Sequence, residues 1–222
     1  MEYNNNDAAH ESETLQAVYA RTMFALRESR KHLLKQYALD SEDALLQRIR
    51  SGELAEHPAY EHYLSARITT QVRDAVRAQA AAELAGAVFD AGADDAPACV
   101  HLMLQDLVGE HYGERLSEPP RLAQDALLLS FDTGLMLEAR YFSRDEYSIA
   151  WSWGDAELRI DTAPVHALCA SFPNHLHDAG GAVRADSVTR TGNDCWLNFS
   201  RLLDRLLDDP LLEQQATGAP LL

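Results

Sequence analysis

The stretch Ala126–Asp161, ALLLSFDTGLMLEARYFSRDEYSIAWSWGDAELRID, decides the fold. In it Tyr147, Ile149, Trp151 and Trp153 alternate with Ser148, Ala150 and Ser152. A period of two sends successive side chains to opposite faces of a strand. Ala156, Leu158 and Ile160 repeat the scheme against Glu157, Arg159 and Asp161. Gly154-Asp155 between the two runs suits a two-residue hairpin turn, because a residue without a Cβ reaches positive φ freely. Upstream, Leu135, Leu137, Ala139 and Tyr141 oppose Met136, Glu138, Arg140 and Phe142, and Leu127–Phe131 is apolar on both sides. Asp132-Thr133-Gly134 and Ser143-Arg144-Asp145 supply the remaining turns. The spacing predicts four antiparallel strands with one apolar face that helices must cover.

Working outward, Ala182–Arg190 reads as a weaker fifth strand and Pro164–Phe172 as a short helix. Asp194 is placed to cap a last helix bearing Trp196, Phe199, Leu203, Leu206 and Leu207. Asp208-Asp209-Pro210 ends that helix, since proline lacks the N–H needed to continue it. Val100, Met103, Leu104, Leu107, Val108 and His111 mark a helix before the sheet.

In the N-terminal half, Leu15, Val18, Tyr19, Met23, Leu26, Leu33 and Tyr37 recur at helical spacing. Asp40 is expected to cap a short second helix, and Pro58 to open a third with Tyr60, Leu64, Ile68, Val72 and Val76 at intervals of four. The first and third helices then pair antiparallel. The fold expected is α+β: an N-terminal antiparallel helical hairpin, then a mainly antiparallel four- to five-stranded sheet covered by helices. Its expected segments are a disordered N-terminus (1–13), the hairpin (14–89), a linker (90–97), the sheet domain (98–210) and a flexible tail (211–222).

Thirty-five acidic against 19 basic residues give a formal net charge of −16. Phosphate backbones and anionic membranes repel such a surface, which argues against nucleic acid or membrane as partner. No apolar run approaches the roughly 18 residues of a membrane span, and the polar, acidic start lacks the pattern of a signal peptide. A cytoplasmic location is expected. Lys31 and Lys35 are the only lysines, an arginine bias of the kind GC-rich bacterial genomes produce. Cys99, Cys169 and Cys195, odd in number and without C-x-x-C spacing, give no disulfide framework. The dinucleotide, P-loop and G-x-S-x-G patterns are absent from the sequence.

Two segments hold groups able to do chemistry. His166 and Cys169 stand three apart, and His175, His177 and Asp178 follow closely. Imidazole, thiolate and carboxylate are the ligands of zinc and related ions. These five residues are the candidate metal ligands. Glu56-His57-Pro58-Ala59-Tyr60-Glu61-His62 resembles an inverted zincin motif with one residue too many, and acidic residues at a helix start explain it more simply. Tyr147, Trp151 and Trp153 are candidates for contact with a ligand or partner, against the simpler reading that they are core.

These observations favour a non-enzymatic bacterial adaptor or chaperone-like protein. Its acidic surface would hold a protein or peptide, in particular a basic one, without a cofactor, and it would dimerise through the hairpin. The element order resembles that of small acidic secretion-chaperone-like domains at the level of fold alone. The alternatives are a metal-dependent hydrolase using the His166–Asp178 segment, and an acidic immunity or nucleic-acid-mimic protein.

Overall fold

Residues 4–85 and 97–213 are described by a computed structural model. The expected linker thus falls almost wholly outside the described residues, as do 1–3 and 214–222. Three helices come first: α1 (Asn4–Gln36), α2 (Glu42–Arg50) and α3 (Glu56–Leu84). Ser41, not Asp40, caps α2, its hydroxyl accepting from the Ala44 amide at 3.3 Å. Regular helix in α3 starts only after Pro58, because the backbone at His57 and Pro58 is not helical. Leu34, Leu45, Ile49, Tyr60, Leu64 and Ile68 form the core that joins the three helices.

Next come α4 (Pro97–Tyr112), seven strands and α5 (Cys195–Asp208). The strands are β1 (Arg121–Leu122), β2 (Leu127–Ser130), β3 (Met136–Tyr141), β4 (Tyr147–Trp153), β5 (Ala156–Asp161), β6 (His175–His177) and β7 (Val183–Ala185). They form one sheet in sequence order, every neighbouring pair antiparallel. The α+β architecture is as expected, but the sheet has seven strands where four or five were predicted. The added strands are β1 and β6, of two and three residues. The anticipated strand at 182–190 shortens to β7, and the anticipated helix at 164–172 is a run of turns. In that run the amides of Cys169 and Phe172 donate to the carbonyls of His166 and Cys169, three residues back.

Register fixes what each face carries. Leu137, Trp151 and Leu158 align across β3–β5, and Ala139, Ile149, Ile160 and Leu176 align across β3–β6. This face packs on Val100, Leu104 and Val108 of α4 and on Phe199, Leu202, Leu203 and Leu206 of α5. The α5 residues recur at three and four, the stripe by which a helix covers a sheet. Buried Tyr141 meets Phe199 edge-on, with ring centroids 6.2 Å apart. Trp151 Nε1 donates to the Pro210 carbonyl at 2.8 Å.

The other face carries Glu138, Arg140, Ser148, Ala150, Arg159, Asp161, His175 and His177. The N-terminal half of α3 covers part of it through polar contacts. Tyr60 and Thr162 share a hydrogen bond at 2.9 Å, Tyr63 donates to Glu146 at 2.8 Å, and Arg140 and Ser65 both donate to Asp125. No helix among the described residues is long and apolar enough to cross a membrane.

Candidate metal centre

The site grows from the β5–β6 pairing. Asp161 lies opposite His175 and Arg159 opposite His177. Because the side chains of a strand alternate, all four stand on the polar face. His166 comes from the turns between these strands, and Glu56 from the start of α3. Glu56, His166, His175 and His177 each offer a ligand atom, and these atoms all lie within 4.8 Å of one another.

The Glu56 carboxylate is the hub. Its Oε1 lies 2.6 Å from His175 Nε2, and its Oε2 lies 2.8 Å from His166 Nε2 and 3.3 Å from His177 Nε2. The three imidazoles stand edge to face, with centroids 4.6 to 5.8 Å apart. Asp161, wholly buried, adds a second carboxylate 3.2 Å from His175 Nε2 and 3.6 Å from His177 Nε2. Arg159 Nε donates to Asp161 at 2.8 Å and lies 3.1 Å from Glu61 Oε1.

Protonation follows from partners. His175 Nδ1 lies 2.9 Å from the Pro173 carbonyl, which can only accept, so Nδ1 bears a proton. Nε2 is then the atom left to face Glu56. Burial opposes charging the His175 ring, but the hydrogen bond to Glu56 and the fields of Asp161 and Glu56 outweigh it, and its pKa is pushed up to about 9. Burial likewise opposes ionising Glu56, yet the hydrogen bond from His175 and the closeness of His177 hold it well below the usual carboxylate range. Asp161 goes the other way, raised by burial and by its neighbour Glu56 despite the attraction of His175. Two carboxylates in one enclosed site do not ionise equally. Two buried polar atoms of the site form no hydrogen bond: His177 Nε2, whose nearest acceptor is Glu56 Oε2 at 3.3 Å, and Glu61 Oε2.

This donor set fits a divalent transition ion. Nitrogen ligands bind zinc at about 2.0–2.1 Å, so donors around a tetrahedral ion stand about 3.3 Å apart, and the four donor atoms here lie within 4.8 Å of one another. The Nδ1–H of His175 bonded to a carbonyl is the outer-shell contact that aims Nε2 at a metal. Three imidazoles and carboxylate oxygen suit zinc, iron or cobalt, and no sulfur takes part.

Of the five candidate ligands, the structure brings His166, His175 and His177 together and places Cys169 and Asp178 elsewhere. Cys169 Sγ lies 3.4 Å from Ser171 Oγ. The Asp178 carboxylate accepts from the Gly180 and Ala182 amides and pairs with Arg184 at 2.6 Å. Glu56, the carboxylate of the donor group, and its neighbour Asp161 are the residues that sequence reasoning did not select. In the near-zincin segment, His57 and Glu61 pair at 2.9 Å one helical turn apart, while His62 bonds Tyr37. Tyr147 and Trp151 are buried in the core, and Trp153 is 39% exposed at the end of β4.

An open cleft of about 900 Å³ runs along the uncovered part of the polar face. His57, Arg159 and His177 line its end at the cluster, and Met136, Ala150 and Ser152 lie along its floor. The molecule is thus an α+β protein with a histidine–carboxylate cluster at the end of a sheet-floored cleft. Residues 4–81, less than half of the chain, match the family model described as "Uncharacterized protein MJ0235 family". That match spans α1, α2 and most of α3, including Glu56 but none of the clustered histidines. No curated protein and no solved structure matches the chain.

Proposed function

We propose that the protein is a metal-dependent hydrolase, with one divalent transition ion held by Glu56, His166, His175 and His177. The observation that carries this reading is the buried Nε2 of His177, which makes no hydrogen bond and is set among donor atoms from the N-terminal start of α3, the β5–β6 connection and β6. An unpaired buried nitrogen costs about 1–3 kcal/mol, and a cation offsets that cost. With the histidines neutral, as metal ligands must be, the carboxylates of Glu56, Asp161 and Glu61 face Arg159 alone, and a cation would balance them.

Exposure of the site supports hydrolysis over a closed structural role. Catalytic metal sites keep a position for water. His166 is one-third exposed and His177 borders the cleft, so water and substrate reach the ion from that side. An ion held by Glu56, His166, His175 and His177 would supply Lewis-acid activation of a water for attack on a carbonyl or phosphoryl centre.

The adaptor and mimic readings draw on net charge, as does a basic partner, and the geometry of the polar face favours the hydrolase. The test uses chromogenic ester, amide and phosphomonoester substrates with the full chain, metal-free and loaded with zinc, manganese or iron. Turnover of one substrate class is expected with metal, lost on chelation and restored by re-addition. Metal-loaded protein that turns over all classes no faster than buffer would count against the reading.

A further inference from the structure

Arg159 has a donor edge that its neighbours leave unused. The residue is only 9% exposed, and its Nε donates to Asp161 and lies 3.1 Å from Glu61 Oε1. Among the described residues Nη1 and Nη2 form no hydrogen bond, although Arg159 lines the cleft. Neither Nη is buried without a partner, so the fork opens on the solvent of the cleft, where an anion can replace water. Across the β5–β6 pairing Arg159 is the partner of His177, on the same face.

From this we infer that Arg159 is a specificity-determining residue: its Nη edge binds an anionic oxygen pair, a carboxylate or phosphate, on the substrate of the proposed metal centre. This inference rests on the hydrolase reading. The planar fork of arginine matches such oxygen pairs, and charge-assisted bonds are the stronger kind. Asp161 and Glu61 hold the guanidinium from behind through Nε, so the fork is set before substrate arrives. Glu138, Asp155, Glu157 and Asp178 also border the cleft. They repel a polyanion, so the substrate is a small molecule with a single anionic group next to the bond that is cut.

The test is calorimetric titration of inorganic phosphate and of acetate into the zinc-loaded full chain, for wild type, Arg159→Gln and Arg159→Lys, with zinc content and circular dichroism recorded for each. Wild type is expected to bind at least one anion. Arg159→Gln should bind it at least about ten-fold more weakly at unchanged zinc content, in keeping with loss of a charge-assisted pair. Arg159→Lys keeps the charge and loses the fork, and serves as the folded variant if the glutamine form does not fold; it should also bind more weakly. Equal affinity in a folded, fully zinc-loaded variant, or no binding of either anion by zinc-loaded wild type, would overturn this inference and leave the metal reading standing. Wild type that takes up no zinc overturns both.

Discussion

The two faces of one sheet solve burial in opposite ways. On the face toward α4 and α5, the buried groups are Leu127, Leu129, Leu137, Ile149, Leu158 and Ile160, and shape decides. A buried histidine occurs there too, in α4: His101 Nε2 accepts from the Tyr141 amide at 3.0 Å, beyond the end of β2, where that amide has no strand partner. It is one neutral ring with one job. On the face toward α3, three carboxylates, one guanidinium and three imidazoles crowd around the β5–β6 pair, with a buried ring nitrogen left over. Burying charge lowers stability unless every partner is present. The apolar face therefore reads as stability and the polar face as function.

The largest effect should come from adjacent residues of β3. Leu137→Ala, on the apolar face and almost fully buried, should lose about 2–5 kcal/mol in urea unfolding. Met136→Ser, one residue away on the cleft side and 57% exposed, should stay within about 0.5 kcal/mol. Similar losses from both would mean that the cleft is not open and would remove the contrast between the faces.

Next in size is the pH response of His101, whose pKa burial pushes down to about 4. In the unfolded chain an imidazole titrates near 6.5. Between those values the unfolded state binds more protons, so the contribution is whole above about 6.5 and is lost as pH falls toward 4. The loss amounts to up to about 3 kcal/mol. His101→Gln, which keeps an acceptor for the Tyr141 amide, should flatten that part of the curve of stability against pH. An unchanged slope would show that His101 is not a buried neutral acceptor.

The long alternating run was legible because a half-buried strand writes its faces into the sequence. Tyr147, Ile149 and Trp151 do share the α5 face, and the turns fall at Gly134 and Gly154, both at positive φ. What escaped was short. His175–His177 is three residues between Pro173 and Asp178, too little for a period to show. The same brevity hid the site. H-x-H on a strand puts both rings on one face, and had β6 been recognised, the Arg159/Asp161 face of β5 was the place to seek partners. Glu56 left no such trace, since it stands 110 residues from His166 and 119 from His175 and meets them only through the packing of α3 on the sheet. Pro164 and the three-residue spacing of His166 and Cys169 suggested a helix, but the large apolar side chains there do not pack inward: Leu168 and Phe172 are exposed. Turn hydrogen bonds took that segment instead.

The central claim is that the polar face assembles a cation centre from Glu56 and three histidines. Its most direct test is elemental analysis after equilibrium dialysis of the full chain against zinc, for wild type and His177→Ala. One equivalent per chain in the wild type, with loss of most of it in a variant that keeps the wild-type circular dichroism, is the predicted result. No uptake by wild type, or equal uptake by both proteins, would contradict it.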